Sequence, residues 1–221
     1  MAKKTYQSGD ETKEKILKAS KNLFYEKGFE GTLYDDICRI THVNRALIPY
    51  HFKNKADLAL AAYDSFIDEY VATRNEIAEG YPNEVKLIIG ILYYYRLLAD
   101  EHVARFVDYI VGENTYRERL LLGESIMYRN IIPEGQKIPA KQWDSIIHLV
   151  WGMEVETIRM ISRGQYSDIT QVGKIMIQML FQYFGYERAK VNQMYGRVNR
   201  ILNRYHFVVT PDFTIEVTKI K

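Results

Sequence analysis

The chain has 221 residues, 47% of them hydrophobic and 26% charged, the composition of an ordinary globular protein with room for one or two domains and a sizeable core. Its single cysteine, Cys38, rules out an internal disulfide, and with Ile37 and Ile40 as neighbours it reads as a small buried thiol. A net charge of +2 is too near zero to establish a nucleic-acid partner by itself, but residues 1–57 carry 11 Lys/Arg against 8 Asp/Glu while the remainder carries 19 against 20. The first residues, MAKKTYQSGDE, lack the apolar run of a signal peptide. No stretch approaches the roughly 20 apolar residues of a membrane span, so a cytoplasmic protein is expected.

In chain order, a short polar arm with Lys3 and Lys4 leads into a helix over about residues 11–27. Ile16, Leu17, Ser20, Leu23 and Phe24 recur there at three- and four-residue spacing, and Gly28 ends it. Three start signals follow within a short distance. Thr32 precedes Asp35 by three residues, Asn44 precedes the apolar pair Leu47 and Ile48, and Asn54 precedes Asp57 by three residues. Thr and Asn side chains accept hydrogen bonds from the unpaired N–H groups of a first helical turn. The pattern predicts a short helix over residues 33–41, a turn at Thr41, His42 and Val43, a second short helix from the Asn44 cap to about Tyr50, and a longer helix over 55–79 stopped by Gly80 and Pro82. Short helices in series make a poor core but present one helix well, as a helix–turn–helix does in a DNA major groove.

The rest also reads as helical. Residues 85–98 are apolar nearly all round and should be buried on most sides. Helices are expected over 103–111, 116–131, 142–162, 168–184 (capped by Ser167 or Asp168) and 187–205, with a loop at 132–139. The last helix carries Arg188, Lys190, Arg197, Arg200 and Arg204 on one face, read as solvated charge ahead of a second nucleic-acid surface. Residues 207–221 change to strand-forming types around a Pro211–Asp212 turn, and a small hairpin, a strand lent to a partner and a loosely ordered tail are all open readings.

The helix–turn–helix region contains both kinds of contact that DNA recognition needs, those that hold the backbone and those that read bases. The Thr32 hydroxyl at a helix start, and Lys55 at the first turn of another, suit phosphate. Asn44 caps the recognition helix, Arg45 suits a guanine edge, and Ala46 and Leu47 suit thymine methyls. Tyr50 and His51 bring polar tips to phosphates, while Phe52 reads as core.

These residues carry a resemblance. The strings ILKASKNLFYEKGFEGT, DI and VNRALIPYHFKNKADL, spanning residues 16–58, resemble the DNA-binding domain of the TetR family of transcriptional regulators. The spacing from Phe24, Gly28, Phe29 and Thr32 to Tyr50, His51, Phe52, Lys55 and Leu58 matches throughout. Three positions depart from the family pattern. His42 stands where the turn usually holds Gly, and must adopt a left-handed conformation or distort the turn. Pro49 replaces a common Tyr and should kink the recognition helix or end it early. Ala46 stands in place of Gly.

The resemblance implies an all-α protein: a TetR-type helix–turn–helix DNA-binding domain at 9–55 (helix–turn–helix about 32–51), a connecting helix at 56–82, a larger helical regulatory and dimerisation domain at 83–206, and the tail at 207–221. It implies a homodimer through helices at about 142–162 and 168–184, a palindromic double-stranded DNA operator, and a repressor released by a small lipophilic or aromatic effector. Tyr93, Tyr109, Tyr116, Tyr128 and Trp151 are the candidate lining residues, because aromatic walls with a few hydroxyls suit such ligands. Two alternatives remain open: the same architecture controlled by a protein partner, with no inducer, and a helical enzyme or carrier. No catalytic residues, metal site or cofactor are expected. Asp35 and Asp36 would point about 100° apart on a helix. The five histidines show no HExxH spacing, and there is no glycine-rich phosphate loop.

Overall fold

The computed structural model describes residues 2–112, 117, 128–133, 137–165 and 168–220, with the backbone alone for residues 2–8. Its elements in order are α1 (Ala2–Gly31), α2 (Tyr34–Thr41), α3 (Leu47–Phe52), α4 (Lys55–Ala78), α5 (Asn83–Leu97), α6 (Glu101–Gly112), α7 (Ala140–Ser162), α8 (Ile169–Tyr183), α9 (Arg188–Leu202), β1 (Tyr205–Val209) and β2 (Ile215–Lys219). From α4 onward each helix expected within the described residues is present, its ends displaced by a few residues. Most of the expected 116–131 helix, including Tyr116, lies outside the described residues. No helix among those described is long and apolar enough to cross a membrane.

Local chemistry accounts for the boundaries. Asn54 caps α4, its side-chain oxygen accepting from the Asp57 N–H at 2.8 Å. Asp168 caps α8, accepting from Thr170 N–H at 2.9 Å and Gln171 N–H at 3.3 Å. Thr32 is a correction: it does not cap α2. The residue before α2 is Leu33, which makes no side-chain cap, and the Thr32 hydroxyl donates instead to the Gly28 carbonyl at 2.7 Å. His42 adopts the left-handed conformation (φ 56°, ψ 25°), and its N–H closes α2 on the Cys38 carbonyl at 2.8 Å.

α5 is the central helix, packed by α4, α8, α9 and β1. Ile88, Ile89 and Tyr93 are fully buried on it, as its all-round apolar character requires. α8 crosses it closely at Gly173, where a β-carbon would lie 2.9 Å from Leu92 Cδ2 and 3.0 Å from Tyr95 Cδ2. α1 packs on α2, α3, α4 and α6, with Ile16, Ala19, Leu23 and Phe24 buried along one face. The two strands form an antiparallel hairpin in register from Tyr205 opposite Lys219 to Val209 opposite Ile215. β1 lies on α5 and β2 on α4.

Gly28 ends the regular first part of α1, as expected, and the helix resumes to Gly31 only across a kink. The Gly28 φ of 72° and ψ of 179° lie in a region essentially reserved for glycine. The break withdraws the normal partners of the Tyr25 and Glu26 carbonyls, and α6 replaces them. Arg105 donates to Tyr25 O at 3.1 Å and Glu26 O at 3.0 Å, and His102 Nδ1 lies 3.0 Å from Tyr25 O. A β-carbon at position 28 would lie 3.2 Å from Arg105 Nε. Gly28→Ala should therefore cost about 1–3 kcal/mol through backbone strain, before any loss of the Arg105 contacts. Thermal unfolding checks this, and a melting temperature equal to that of the parent would refute the strain assigned to the break.

Candidate nucleic-acid interface

The surface is built from α2, the turn after it, α3 and the start of α4. α3 has six residues, too few to hold itself together. It is anchored from within by Ile48, fully buried, and Phe52, nearly so. It starts later than the Asn44 cap suggested. Asn44 Oδ1 accepts from the Ala46 N–H at 2.9 Å, and the Leu47 and Ile48 N–H groups bond to the carbonyls of Asn44 and Arg45 at 2.9 and 3.2 Å. Arg45 and Ala46 therefore sit in the turn ahead of α3 rather than in its first turn. Pro49 accounts for the shift. It is the third residue of α3, where a backbone N–H has no partner inside the helix to lose, so proline is accommodated only because the helix begins at Leu47.

Opposite the anchors the surface is open. Tyr50 is 78% and Leu47 38% exposed, and Asn44, Arg45, Ala46 and Pro49 are exposed as well. The Arg45 guanidinium pairs with the Asp35 carboxylate and lies 5.7 Å from the Tyr34 ring centre, so it is held from α2 while facing solvent. His51 is half-buried, its ring edge-on to Tyr50 at 5.0 Å. The Lys55 ammonium lies 4.3 Å from the Phe29 ring centre, and partial burial pulls its pKa down, opposed by Glu30. Thr32 is 1% exposed and its hydroxyl is committed to Gly28, so it supports the junction of α1 and α2 rather than presenting a hydroxyl to solvent. The buried Asp36 fixes the same junction, bonded to Lys27 at 2.9 Å and Arg39 at 3.0 Å.

The candidate ligand residues fall into two places. Tyr109 stacks on Phe29 at 3.6 Å, at the contact of α6 with α1. Tyr93 stacks on Tyr70 at 5.4 Å. Burial raises the Tyr70 phenol pKa; Arg74 opposes the rise and the charge of Glu154 adds to it. The buried Tyr128 donates to Glu154 Oε1 at 2.5 Å, and the buried Trp151 sits one turn before Glu154 on α7. Glu154 thus bonds to Tyr128 and lies where its charge acts on Tyr70, although nothing in the sequence sets it apart. Its half-buried place on α7 depends on long-range packing that periodicity does not show.

A three-helix helix–turn–helix unit set on a larger helical body defines the class of protein. The model of the bacterial regulatory proteins of the tetR family matches residues 16–62. The probable HTH-type transcriptional regulator YttP of Bacillus subtilis (strain 168) is 30% identical over 137 residues, 57% of this chain and 65% of that protein. The chain spans less than two thirds of its curated relatives, 40% and 31% for two regulators from Pseudomonas putida. Among solved structures, TylP, a TetR regulator from Streptomyces fradiae, shares the fold at 17% identity and TM-score 0.57, over 89% of this chain and 93% of that one. The regulator FadR from Bacillus subtilis, solved with stearoyl-CoA, shares it at 18% identity and TM-score 0.55, over 75% and 96%. Over residues 16–62 the chain carries a DNA-binding region of the TetR family of bacterial regulatory proteins.

The Asp36 junction makes the unit pH-sensitive on the acid side. The Lys27 hydrogen bond, with Arg39 adding to it, holds the Asp36 carboxyl below its ordinary value. Its contribution is complete above the unfolded-state pKa of about 3.9 and disappears as pH falls through the lower folded-state value. Asp36→Asn should be less stable than the parent at neutral pH, and the two denaturation midpoints should converge as pH drops below about 4. A constant difference across the acid range would show that the carboxylate charge does not hold this junction.

Proposed function

We propose that the protein is a homodimeric, ligand-responsive repressor that binds a palindromic operator through Asn44, Arg45, Ala46, Leu47, Tyr50, His51 and Lys55. The observation that carries this reading is the open face of α3 and its preceding turn, with Arg45 and Tyr50 exposed while Ile48 and Phe52 are spent on anchoring. Arg45 is the base reader, able to reach the two acceptors of a guanine. Tyr50 and Lys55 hold phosphates. Thr32 acts through the shape of the α1–α2 junction, and the first-turn N–H groups of α2 provide the partial positive charge.

Dimerisation is supported by α7 and α8. Leu149, Ile175, Met179 and Tyr183 are each more than half exposed, and the last three repeat every fourth residue along α8. Leu149, Ile175 and Met179 border an open, mostly apolar groove between the two helices that includes His148, Gly152, Met153 and Met176. An apolar stripe of this kind suits a four-helix contact with a second copy. The effector is a small lipophilic or aromatic molecule that engages the Tyr70, Tyr93, Tyr128, Trp151 and Glu154 region. Support comes from the buried aromatic surroundings of one carboxylate and from FadR, a neighbour of the same fold solved with stearoyl-CoA. Release is a population shift: the effector weakens DNA binding only to the extent that it prefers a state in which the two recognition helices no longer match successive major grooves.

Selection of bound fragments from random and genomic DNA at stated salt tests the reading. Enrichment of one palindrome supports it; binding without sequence preference that vanishes as salt rises overturns it. Within the selected site, Arg45→Ala should lose about 1–3 kcal/mol of affinity at one base position. Its stability should change by less than about 1 kcal/mol, since the Asp35 pair is solvent-exposed. Unaltered affinity and base preference would remove Arg45 from the contact surface. Leu149→Glu with Met179→Glu should convert the protein to monomers of unchanged helix content with much weaker operator binding; sedimentation that still shows dimers would place the interface elsewhere.

A further inference from the structure

The C-terminal hairpin lies on α4 and α5 and carries its tip to the contacts among α1, α4 and α6. Its root is tied to the end of α9, where the Ile220 N–H donates to the Arg204 carbonyl at 2.7 Å. Its strands cross the body, with Phe207 packed on Tyr93 of α5 at 4.7 Å and β2 lying along α4. At its tip, Phe213 is fully buried. The Phe213 ring meets one aromatic side chain from each of three helices: Phe106 of α6 at 4.7 Å, Tyr25 of α1 at 6.0 Å and Phe66 of α4 at 6.0 Å. These are the helices whose relative placement sets how α1, and α2 and α3 with it, sits on the body.

The tip is built to present that ring. Phe213 has a φ of 61°, an unfavourable conformation for a bulky side chain. It is held there by the Phe213 N–H bonded to Thr210 O at 2.8 Å, the Thr210 N–H bonded to Thr214 O at 2.9 Å, and the Thr210 hydroxyl bonded to Asp212 at 2.6 Å. Asp212 in turn faces α1, where its charge acts on Lys21. A strained residue persists only where its surroundings over-determine it, and here those surroundings belong to both halves of the molecule.

We propose that the hairpin is a wedge that fixes the angle between the DNA-binding unit and the helical body, and that Phe213 is a positioning residue for operator recognition. The proposal rests on the dimeric DNA-binding reading above. In a dimer a small change of that angle alters the separation of the two recognition helices, which must match half-sites one helical turn apart. The ring therefore governs tolerance to half-site spacing, whereas Arg45 and its neighbours govern half-site sequence. Without the ring, more of the population occupies other angles.

The test uses full-length parent, Phe213→Ala and the milder Phe213→Leu, at a temperature where each is folded by circular dichroism. Affinities are measured at fixed salt for the selected operator and for versions with the half-sites moved one or two base pairs closer or further apart. The parent should lose about tenfold or more on a spacing change. Phe213→Ala should keep the same preferred half-site but lose most of that discrimination, and Phe213→Leu should restore part of it. A spacing profile identical to the parent's, with only a lower melting temperature, would reduce Phe213 to a structural residue and overturn the proposal. If Phe213→Ala does not fold, the same comparison is made with Phe213→Leu, and an unchanged profile again overturns it.

A second measurement does not depend on DNA. Spin labels are attached in a Cys38→Ser background at Arg39→Cys on α2 and Lys86→Cys on α5, with labelled chains diluted by unlabelled ones. The distance distribution should be narrow with Phe213 and shifted or broadened without its ring; superimposable distributions would overturn the wedge. If the parent shows no sequence-specific binding, the operator reading fails, and the distances still decide whether the hairpin sets the angle.

Discussion

The structure depends on two backbone carbonyls. A buried or half-buried carbonyl without a partner is costly, so a helix that breaks must have its freed acceptors satisfied by something else. α1 breaks at Gly28, and the acceptors of Tyr25 and Glu26 are taken up by Arg105 and His102 of α6. The C-terminal end of the first helix is thereby completed by the body and not by its own next turn. Tyr25 tightens the same joint: its hydroxyl donates to Asp100 at 2.6 Å, and burial, with that hydrogen bond, pushes its pKa up to about 12. His102, Arg105, Phe106 and Tyr109 stand at the i, i+3, i+4 and i+7 positions of α6, one face of a helix, and all four meet α1.

Aromatic side chains extend this joint into the body. From Tyr109 and Phe29, contacts run through Phe24, Phe106, Phe213 and Phe66 to Tyr94, Tyr70, Tyr93 and Phe207. A chain with 18 tyrosines must place many hydroxyls as well as rings. Several are placed in pairs or against carboxylates, as with Tyr63 and Tyr94 at 3.1 Å and Tyr186 with Glu84 at 3.2 Å. Rings of this size interlock with few rotamers, so a displacement at one end has discrete consequences for the packing further along.

What could be read from the sequence was what local physics determines. Periodicity located the helices, Asn54 and Asp168 announced their own caps, and the strain forced on His42 by its place in the turn is found there. Thr32 misled because a threonine at a helix boundary can bond forward to a first-turn N–H or back to a carbonyl, and the Gly28 break made the backward acceptor available. Glu154 and Phe213 were illegible for another reason. Nothing adjacent to them in sequence distinguishes them from a surface acid or a tail residue; their surroundings come from helices far away in the chain. The tail's β-propensity did mark strands, but the joint on which their tip lands is a property of the folded body.

The candidate DNA-contact surface separates the residues that hold its shape from those that face solvent. Six residues of α3 do not form a stable helix by themselves, so their conformation is held by Ile48 and Phe52, by the Asn44 turn ahead of them and by the Asn54 cap behind. None of these holding groups needs the identity of Arg45, Ala46, Leu47 or Tyr50. The energy that shapes the surface and the energy available for recognition therefore reside on different side chains. Pro49 illustrates the one coupling between them. By requiring a first-turn position it delays the start of the helix, moves Arg45 and Ala46 into the preceding turn, and so changes where the Arg45 guanidinium stands while leaving the anchors in place.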